Sequence, residues 1–500
     1  MKPALHALRG ARAYLVVAAL GTSATQCSTS KGAFDPPSTP PPARPSTSSA
    51  DTAPPPADYV LPIVNARVAG VAIDARGYSA AILDGVQRDA SVGAVAFPNT
   101  ATDSAGGAVT LIDPTGKVLW TWPVPLTPAA VALGDDSVFA AFSVYRSQTD
   151  VPPKLRASGD PGAVLVALDR RTGAPTTVLP LEASEQGSFY PASLLAMPDG
   201  GVVIAGNYKG VVKIADRTLS GGTFVSDRGA VIRVSSAGKI VWVLDQSFFV
   251  RSLAAGPNGL VVSGLATMGM DTTVRDSIGR VHALTTKRGV TQPIVMSVSD
   301  EGRLRWSHTF ASSDLLEWRG LAVHEGGEIA IADVLPPGKD VSDETGLLLQ
   351  NDGPQRQAFL MRISANGKNA RAIALTKSGL VAPSSIAALE LRYLIGGAAQ
   401  RPADGDPVPV VVGNQRFDVV GPSDGCVIQV SGDPVERELR VSSPGVETVQ
   451  SIAASRAGWI AGVKIFDNAG TLVVAEETIG VPENTEGLLV FRAQPPPKPE

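Results

Sequence analysis

The chain has 500 residues, of which 44% are hydrophobic, 18% charged and 5% aromatic, and this composition excludes disorder throughout. Its 43 basic and 47 acidic residues leave a formal net charge of −4. That balance gives no field that would favour a nucleic acid or an anionic membrane as a partner. The 51 glycines and 40 prolines follow no collagen period, so they indicate many turns and favour an all-β fold.

Residues 1–26 have the pattern of a secretory signal peptide. Lys2, Arg9 and Arg12 precede an apolar run at residues 13–20, and a small polar stretch follows. The run is too short to cross about 30 Å of hydrocarbon, and no later segment approaches 18 consecutive apolar residues. We therefore expect an exported protein without a transmembrane segment.

Cys27 is a candidate site of lipidation, because it lies where a bacterial lipoprotein carries its acylated cysteine. The positions before it, Gln26 and Ala24, differ from the small residue and the leucine that are usual there. The alternative is cleavage near Ala24, with Cys27 incidental. An outer-membrane lipoprotein, a periplasmic protein and a secreted protein all remain open.

Two segments cannot bury a core. Residues 27–57 are almost entirely Pro, Ser, Thr, Ala and Asp, and residues 494–500 form a Pro-rich tail. The first is expected to be an extended spacer with polyproline II character. Residues 58–493 are left as the folded domain.

The strongest signal is an internal repeat. An apolar triplet with a central alanine occurs seven times, at intervals of 58 to 68 residues, and all copies but the sixth lead into a Gly, Asp or Asn turn and a second apolar run. The central alanines are Ala72, Ala132, Ala196, Ala254, Ala322, Ala387 and Ala453. Each pair of runs predicts a β-hairpin.

A second piece follows after a variable segment. It is an apolar run that ends at a turn glycine, as at residues 163–168 before Gly173 and residues 230–234 before Gly238. Three such glycines are followed four residues later by a tryptophan, at Trp120, Trp242 and Trp306. We interpret these rings as packing on a neighbouring sheet.

Two hairpins per repeat make four strands in about 60–65 residues, which is one propeller blade. Seven repeats predict a seven-bladed β-propeller of four-stranded antiparallel blades, with the alanine-centred strand innermost, where only small side chains can lie. The seventh repeat lacks its outermost strand, and residues 59–64 could supply it and close the ring. Eight blades are the alternative, but no eighth triplet exists.

One repeat resembles a known family. The segments Ala205-Gly206-Asn207-Tyr208-Lys209-Gly210 and Ala237-Gly238-Lys239-Ile240-Val241-Trp242 are similar to the SBBP-type β-propeller repeat, which is frequent in exported proteins of myxobacteria. The resemblance is good in the third repeat and fair in the fourth. It implies a cell-surface or secreted propeller with no catalytic activity common to the family.

The run Ala167-Leu168-Asp169-Arg170-Arg171-Thr172-Gly173 resembles the blade motif of quinoprotein dehydrogenases and of a propeller lipoprotein of outer-membrane assembly. That motif is a packing signature, so we expect Asp169 and Thr172 to hold a hairpin turn. The family's adjacent cysteines are missing, and no cofactor is expected.

Residues with catalytic or metal-binding chemistry are few. His282, His308 and His324 form no metal-binding pattern and are interpreted as ordinary strand or loop residues. Asp404-Gly405-Asp406 and Asp467-Asn468-Ala469-Gly470 are interpreted as turns rather than Ca²⁺ loops. Cys426 is expected to be a small buried side chain. No metal site is predicted, and no catalytic residue can be named.

The segments between hairpins, at residues 146–161, 268–292, 335–356 and 400–424, are either tolerated insertions or the binding surface. The sequence therefore predicts a non-catalytic exported propeller that binds a protein or a glycan at the cell envelope. One alternative is an enzyme that acts on a polysaccharide or an ester with carboxylates at the central funnel. Another is an assembly factor at the outer membrane, which would require lipidation at Cys27.

Overall fold

Extended strands make up nearly all of the regular structure. The computed structural model describes residues 57–97, 106–145, 151–157, 162–184, 187–214, 217–221, 228–266, 272–284, 292–312, 316, 318, 320–401, 409–431, 435–466 and 470–494. They belong to one compact unit that runs from Ala53 to Glu500. Within these ranges there is no α-helix, and none of the helical structure is long and apolar enough to cross a membrane. Residues 1–26, Cys27 and the spacer up to residue 56 lie outside the described residues.

The first strands are β1 Tyr59–Val64, β2 Arg67–Ile73, β3 Ser79–Val86, β4 Ser91–Val92, β5 Val95–Ala96, β6 Gly106–Ile112, β7 Val118–Val124, β8 Thr127–Leu133 and β9 Ser137–Val144. A 3₁₀ helix follows at Pro153–Leu155. The next strands are β10 Gly162–Asp169, β11 Pro175–Ala183, β12 Ser188–Ala196, β13 Val202–Lys209, β14 Val211–Ile214, β15 Arg217–Ser220, β16 Arg228–Val234 and β17 Ile240–Gln246.

The middle of the chain forms β18 Phe249–Gly256, β19 Gly259–Ala266, β20 Thr273–Arg275, β21 Val281–Ala283, β22 Gln292–Val298, β23 Leu304–Thr309, β24 Ala311–Ser312, β25 Gly320–Val323, β26 Ile329–Leu335, β27 Asp340–Asp343, β28 Gly346–Gln350, β29 Gln357–Ile363, β30 Ala370–Ala374 and β31 Thr376–Ser378. The last strands are β32 Leu380–Leu389, β33 Arg392–Gln400, β34 Val410–Val412, β35 Gln415–Phe417, β36 Ser423–Val430, β37 Val435–Ser442, β38 Val446–Ser455, β39 Gly458–Phe466, β40 Thr471–Val474, β41 Glu477–Gly480 and β42 Thr485–Ala493.

Within the described ranges, these strands form four-stranded antiparallel units that repeat along the chain. In the order of their hydrogen bonds they are unit 1 (β2-β3-β6-β7), unit 2 (β8-β9-β10-β11), unit 3 (β12-β13-β16-β17), unit 4 (β18-β19-β22-β23), unit 5 (β25-β26-β29-β30), unit 6 (β32-β33-β36-β37) and unit 7 (β38-β39-β42-β1). Each alanine-centred triplet lies wholly or largely in the first strand of its unit. That strand often extends well beyond the triplet, as the ten residues of β32 show.

The core lies between neighbouring units. In β10, Ala163, Leu165 and Ala167 belong to the hydrophobic cluster shared with unit 3, whereas Val164, Val166 and Leu168 belong to the cluster shared with unit 1. Both faces of the strand are therefore covered, which explains why the middle strands are continuous apolar runs rather than alternating ones.

Six short hairpins, one in each unit except unit 2 among the described residues, extend towards the unit before their own. Each hairpin arises between the second and third strands of its own unit. Four of them add to the outer strand of the preceding unit, and the other two pair with the short strands β24 and β31, which follow units 4 and 5 along the chain. The pairs are β4–β5 on β1, β14–β15 on β11, β20–β21 on β17, β27–β28 on β24, β34–β35 on β31 and β40–β41 on β37. Residues 268–292, 335–356 and 400–424 are therefore not plain loops, because they contain three of these hairpins.

Unit 2 has no such hairpin among its described residues. In units 3 and 4, the hairpin is held partly by the N–H groups of Ser184 and Ser247, which donate to the carbonyls of Val211 and Thr273. The matching position after β7 is Pro125, which has no N–H. Val151 and Leu155 instead pack into the hydrophobic cluster between units 1 and 2.

Tryptophan rings pack against turn glycines across three unit boundaries, as the sequence predicts. A Cβ added at Gly302 would lie 2.8 Å from the ring of Trp242, and Gly173 and Gly367 approach Trp120 and Trp306 as closely. The indole of Trp242 also donates to the carbonyl of Asp300 at 2.7 Å. Glycine is required at Gly302 both by this approach and by its φ of +77°.

The first strand of the chain pairs with the last. β1 lies antiparallel to β42, with Tyr59 opposite Phe491 and Leu61 opposite Leu489. The rings of Tyr59 and Phe491 stack with their centres 5.0 Å apart. Tyr59 also lies against the turn glycine Gly116, in the same way as each of the three tryptophans lies against a turn glycine. Burial raises the pKa of the Tyr59 hydroxyl to about 12.

Candidate functional site

A single cavity of about 590 Å³, which we call the channel, is lined by the first strands of all these units. The seven alanines that define the sequence repeat all line it. Their small side chains leave room where the strands come close together. The channel wall is otherwise Gly, Val, Leu, Ile and Ser, with Gln450 as the one large polar side chain among its described lining residues.

Serine side chains connect neighbouring first strands along the channel. The hydroxyl of Ser451 accepts the N–H of Val71 at 3.2 Å, and that of Ser193 accepts the N–H of Leu253 at 3.3 Å. Ser384 donates to the carbonyl of Val449. Such bonds satisfy backbone groups on strand edges that no other strand covers.

A pocket of about 550 Å³ lies near the start of the first strands, on the side of units 3 to 7, and we call it the polar mouth. It shares Ala192, Ser384 and Gln450 with the channel, so the two spaces are continuous. Its other polar lining residues are Asn207, Arg251, Trp318, Gln400 and Thr448. Arg251 is the one charged residue in this described lining.

Several polar groups of the polar mouth are not used by the fold. The side chains of Gln400, Thr448 and Gln450 make no hydrogen bond, and Arg251 is exposed without a carboxylate within 4.0 Å, within the described residues. Asn207 differs, because its amide both donates to the carbonyl of Val250 and accepts its N–H. The mouth thus offers several neutral groups and one cation to a ligand.

Trp318 forms part of the wall of the polar mouth in an unusual conformation. Its φ is +47°, which residues with large side chains rarely adopt. Its backbone N–H donates to the buried carboxylate of Asp333 at 2.9 Å. Its ring is fully buried, and its indole nitrogen has no hydrogen-bond partner among the described residues. Strained residues of this kind are concentrated at functional sites.

At the other end of the first strands lies the turn mouth, a pocket of about 320 Å³. His324, Glu325, Glu390 and Arg456 line it. Arg456 donates to Glu325 at 3.0 and 3.1 Å, and both side chains are mostly exposed. His324 accepts the N–H of Gly326 through Nδ1, and its Nε2 is 3.6 Å from Glu328.

Arginines fix the carboxylates that lie just below the first hairpin turns. Arg170 pairs with Asp74, Arg233 with Asp199, and Arg362 with Glu328. Arg170 also lies over the ring of Tyr78, 4.5 Å from its centre. These acids are neutralised within the fold and hold the turns in place, which does not suit them to acid or base catalysis.

A buried acidic pair lies where units 6 and 7 meet. Asp424 is fully buried and is paired with Arg440 at 2.7 Å. Glu447 is also fully buried but has no arginine partner in the described part of the chain; both the hydroxyl and the N–H of Ser443 donate to it. Burial raises the pKa of Glu447 to about 7, and the nearby charge of Asp424 adds to the increase.

The three histidines that the sequence singled out lie apart from one another. His282 contacts Asp276 at 3.0 Å, and His308 is buried between the carbonyl of Gly367 and the carboxylate of Asp343. His282 and His308 lie on strands and His324 lies in a turn, in agreement with the interpretation of all three as ordinary strand or loop residues. Across the ranges that the structure describes, no three His, Cys, Asp or Glu residues form a group that could hold a metal ion.

The remaining sequence candidates have clear positions or lie outside the description. Asp169 accepts the N–H and hydroxyl of Thr172, both at 2.8 Å, so the two residues hold the turn as predicted. Cys426 is fully buried in β36. Cys27, Asp404-Gly405-Asp406 and residues 467–469 lie outside the described residues.

Sequence reasoning missed the polar mouth. Its residues come from five units and share no motif, since each is merely one polar position in an otherwise apolar or small-residue strand. The motif Ala205-Gly206-Asn207 was noted only for its resemblance, and the bond from Asn207 to Val250 shows that its asparagine joins units 3 and 4.

No family model matches the chain, and no curated protein matches it. Solved structures similar to it include the β-propeller domain of the Trilobed protease from Pyrococcus furiosus, with 8% identity, a TM-score of 0.44, and coverage of 84% of this chain and 97% of that one. Quinohemoprotein alcohol dehydrogenase from Comamonas testosteroni has 10% identity, a TM-score of 0.35 and coverage of 86% and 76%. BamB from Moraxella catarrhalis has 15% identity, a TM-score of 0.25 and coverage of 61% and 85%. The described residues are all-β by their own strands, and the solved structures similar to the chain include β-propeller proteins.

Proposed function

We propose that the antiparallel units are the blades of one seven-bladed β-propeller, closed by the N-terminal strand β1. Two observations support this: all seven first strands line one channel, and β1 pairs with β42. The SBBP-type resemblance of the third repeat fits the same proposal, and its asparagine joins two units. Residues 58–493 would then be the propeller domain, and residue 494 would begin the tail.

The function we propose is that of a non-catalytic binding or scaffolding module of the cell envelope. The polar mouth carries this proposal, because its described lining combines unused neutral hydrogen-bonding groups with one cation and no carboxylate. Such a surface can recognise the amides of a peptide or the hydroxyls of a glycan. It lacks the paired acids that hydrolysis of a glycan requires.

The test is a screen of glycan and peptide arrays with the mature protein and with a Thr448→Val, Gln450→Ala variant. We expect at least one ligand class to bind, and the variant to weaken it about tenfold, since two hydrogen-bonding groups are lost. Gln87→Ala, which removes an exposed amide that lines neither the channel nor the polar mouth, is the control. Binding that survives in the double variant would exclude the polar mouth as the site.

The alternative function is an enzyme that acts on a polysaccharide or an ester. The turn mouth favours it most, because His324, Glu325, Glu390 and Arg456 come together there. The ion pair of Glu325 with Arg456 argues against it. Hydrolysis of nitrophenyl esters or glycosides that is lost in Glu325→Gln and retained in the exposed control Glu301→Gln would establish the enzyme instead.

We further propose that the protein is exported and that Cys27 can anchor it to the outer membrane, with the spacer holding the propeller away from the lipid. A periplasmic or secreted form without lipid is the alternative. The intact mass of the protein from its native host distinguishes them. A lipid-sized excess that disappears in Cys27→Ala supports the anchor, and an unmodified mature chain contradicts it.

A further inference from the structure

A further cavity lies apart from the channel and its two mouths, on the outer wall of unit 3. It has a volume of about 510 Å³, and we call it the outer groove. One side is formed by the hairpin β14–β15 and the other by the hairpin β20–β21, with strands β16 and β17 between them. Three arginines, Arg217, Arg228 and Arg275, line it, one from each part.

One of these arginines is fixed in place. Nε and Nη2 of Arg228 are each 3.1 Å from the carboxylate of Asp245, and that carboxylate also accepts the hydroxyl of Tyr208 at 2.6 Å. The two-point pair holds the plane of the guanidinium and leaves Nη1 for another acceptor. An arginine held in this way needs little ordering when it binds an anion.

The other acid of the outer groove is also satisfied by the fold. Asp276 contacts His282 at 3.0 Å and accepts the N–H groups of Ile278 and Arg280 at 3.2 and 2.9 Å. Arg217 and Arg275 are exposed, and neither has a carboxylate within 4.0 Å in the described part of the chain. Their guanidinium groups are therefore available to an anionic ligand.

Apolar side chains border the same groove. Ile278, between two lining residues, is 66% exposed, and Val281, which pairs with Arg275 across β20 and β21, is 53% exposed. Exposed aliphatic groups beside free arginines match a protein better than a polysaccharide, whose surface offers few aliphatic side chains.

We infer that the outer groove docks an acidic segment of a partner protein, with carboxylates at Arg217 and Arg275 and apolar side chains at Ile278 and Val281. This site is separate from the polar mouth and does not depend on the function proposed for it. The hairpins then have two roles, since they join the units and form the two walls of the site.

The test is fluorescence anisotropy of the mature protein at low salt, with a labelled peptide of repeated Glu-Glu-Leu-Glu-Glu-Ile. We expect Arg217→Gln with Arg275→Gln to weaken binding about tenfold, because two exposed charge contacts are lost. The control is Arg303→Gln with Arg305→Gln, which removes two exposed arginines at another site and should leave binding within about twofold. Ile278→Ser should weaken the binding of this peptide. It should not weaken the binding of a peptide in which Ser replaces Leu and Ile.

Three results would overturn the inference. The first is no binding of the acidic peptide by the unaltered protein. The second is an equal loss in both double variants, which would indicate attraction by net charge alone. The third is binding of a sulfated polysaccharide or inorganic phosphate at the outer groove that the peptide cannot displace, which would assign the site to another class of ligand.

Discussion

Two buried carboxyl groups show that the partner of a single residue determines whether its charged form is stable in this protein. Asp424 and Glu447 are both fully buried where units 6 and 7 meet, but of the two only Asp424 is paired with an arginine that the structure describes. A buried charge without a counter-ion is costly, so the neutral form of Glu447 is favoured in the folded state. Its pKa of about 7 lies well above the 4.5 of an exposed glutamate.

The first prediction concerns stability and pH at this residue. The folded state binds the Glu447 proton more tightly than the unfolded chain does, so stability falls as pH rises from about 4.5 to about 7 and stays lower above that. Glu447→Gln, which mimics the neutral form, should be more stable than the unaltered protein by about 2 kcal/mol at pH 8 and equal to it at about pH 4, below the unfolded pKa. Urea unfolding at the two pH values measures this.

Glu438→Gln, at an exposed position on β37, is the control and should change stability at neither pH. An equal gain in both variants would mean that net charge, rather than burial, is responsible.

The second prediction separates ring packing from backbone strain. Gly302 and Gly279 both have positive φ, of +77° and +85°, but an added Cβ at Gly302 meets the Trp242 ring and the Cβ of Ser277, whereas at Gly279 it meets no described atom within 4 Å. Gly279→Ala should therefore cost about 1 kcal/mol, and Gly302→Ala about 3 kcal/mol. Thermal unfolding of the two variants gives the comparison, and equal losses would show that the ring contact contributes nothing.

Single residues also show where sequence reasoning works. The turn made by Asp169 and Thr172 could be predicted because all its bonds are local. Arg251 and Gln450 could not be assigned to one site, since they are 199 positions apart in the sequence and only the three-dimensional fold brings them to the same pocket.

At the scale of elements, the repeating strands were predictable and the cross-unit hairpins were not. The strands are continuous apolar runs between turn residues. This pattern can be recognised within about ten consecutive residues, so it can be predicted from local sequence. A hairpin such as β14–β15 is short and half polar, and its stability depends on pairing with β11 of the preceding unit. The sequence of the hairpin itself does not indicate that β11 is its partner.

The third prediction concerns this pairing. Val212 is fully buried opposite Ala183, whereas its neighbour Val211 is 42% exposed. Val212→Ser should cost about 2 kcal/mol and speed hydrogen exchange in residues 211–220, because the hairpin loses its apolar contact with unit 2. Val211→Ser is the control and should change stability by less than about 0.5 kcal/mol. Unchanged exchange in Val212→Ser would mean that the hairpin is held by its backbone bonds alone.

At the scale of the whole molecule, the pairing of β1 with β42 joins the two ends of the domain. Ile63 is fully buried in a cluster that includes Leu489 and Phe491 of β42 and Val68 of unit 1. The sequence predicted the strand because the seventh repeat was one strand short.

The fourth prediction tests that junction. A chain that begins at residue 58 should unfold at the temperature of the mature protein, whereas one that begins at residue 65 should unfold at least about 10 °C lower, since it leaves the edge of β42 uncovered. Size-exclusion chromatography should show association of the shorter chain only. Equal thermal stability of the two chains would show that β1 is not needed for closure.

The same pairing determines the order in which the protein can be completed during synthesis. Among the described strands, β1 leaves the ribosome first, yet one of its two partners, β42, is made last, more than 400 residues later. Until β42 is made, the edge of β1 that β42 will cover stays open to other nascent chains, whereas the other edge can already pair with β4. Pro62 lies within β1 and limits such pairing, because it offers no N–H to a passing strand. β1 therefore cannot complete its pairing until the residues of β42 have been made.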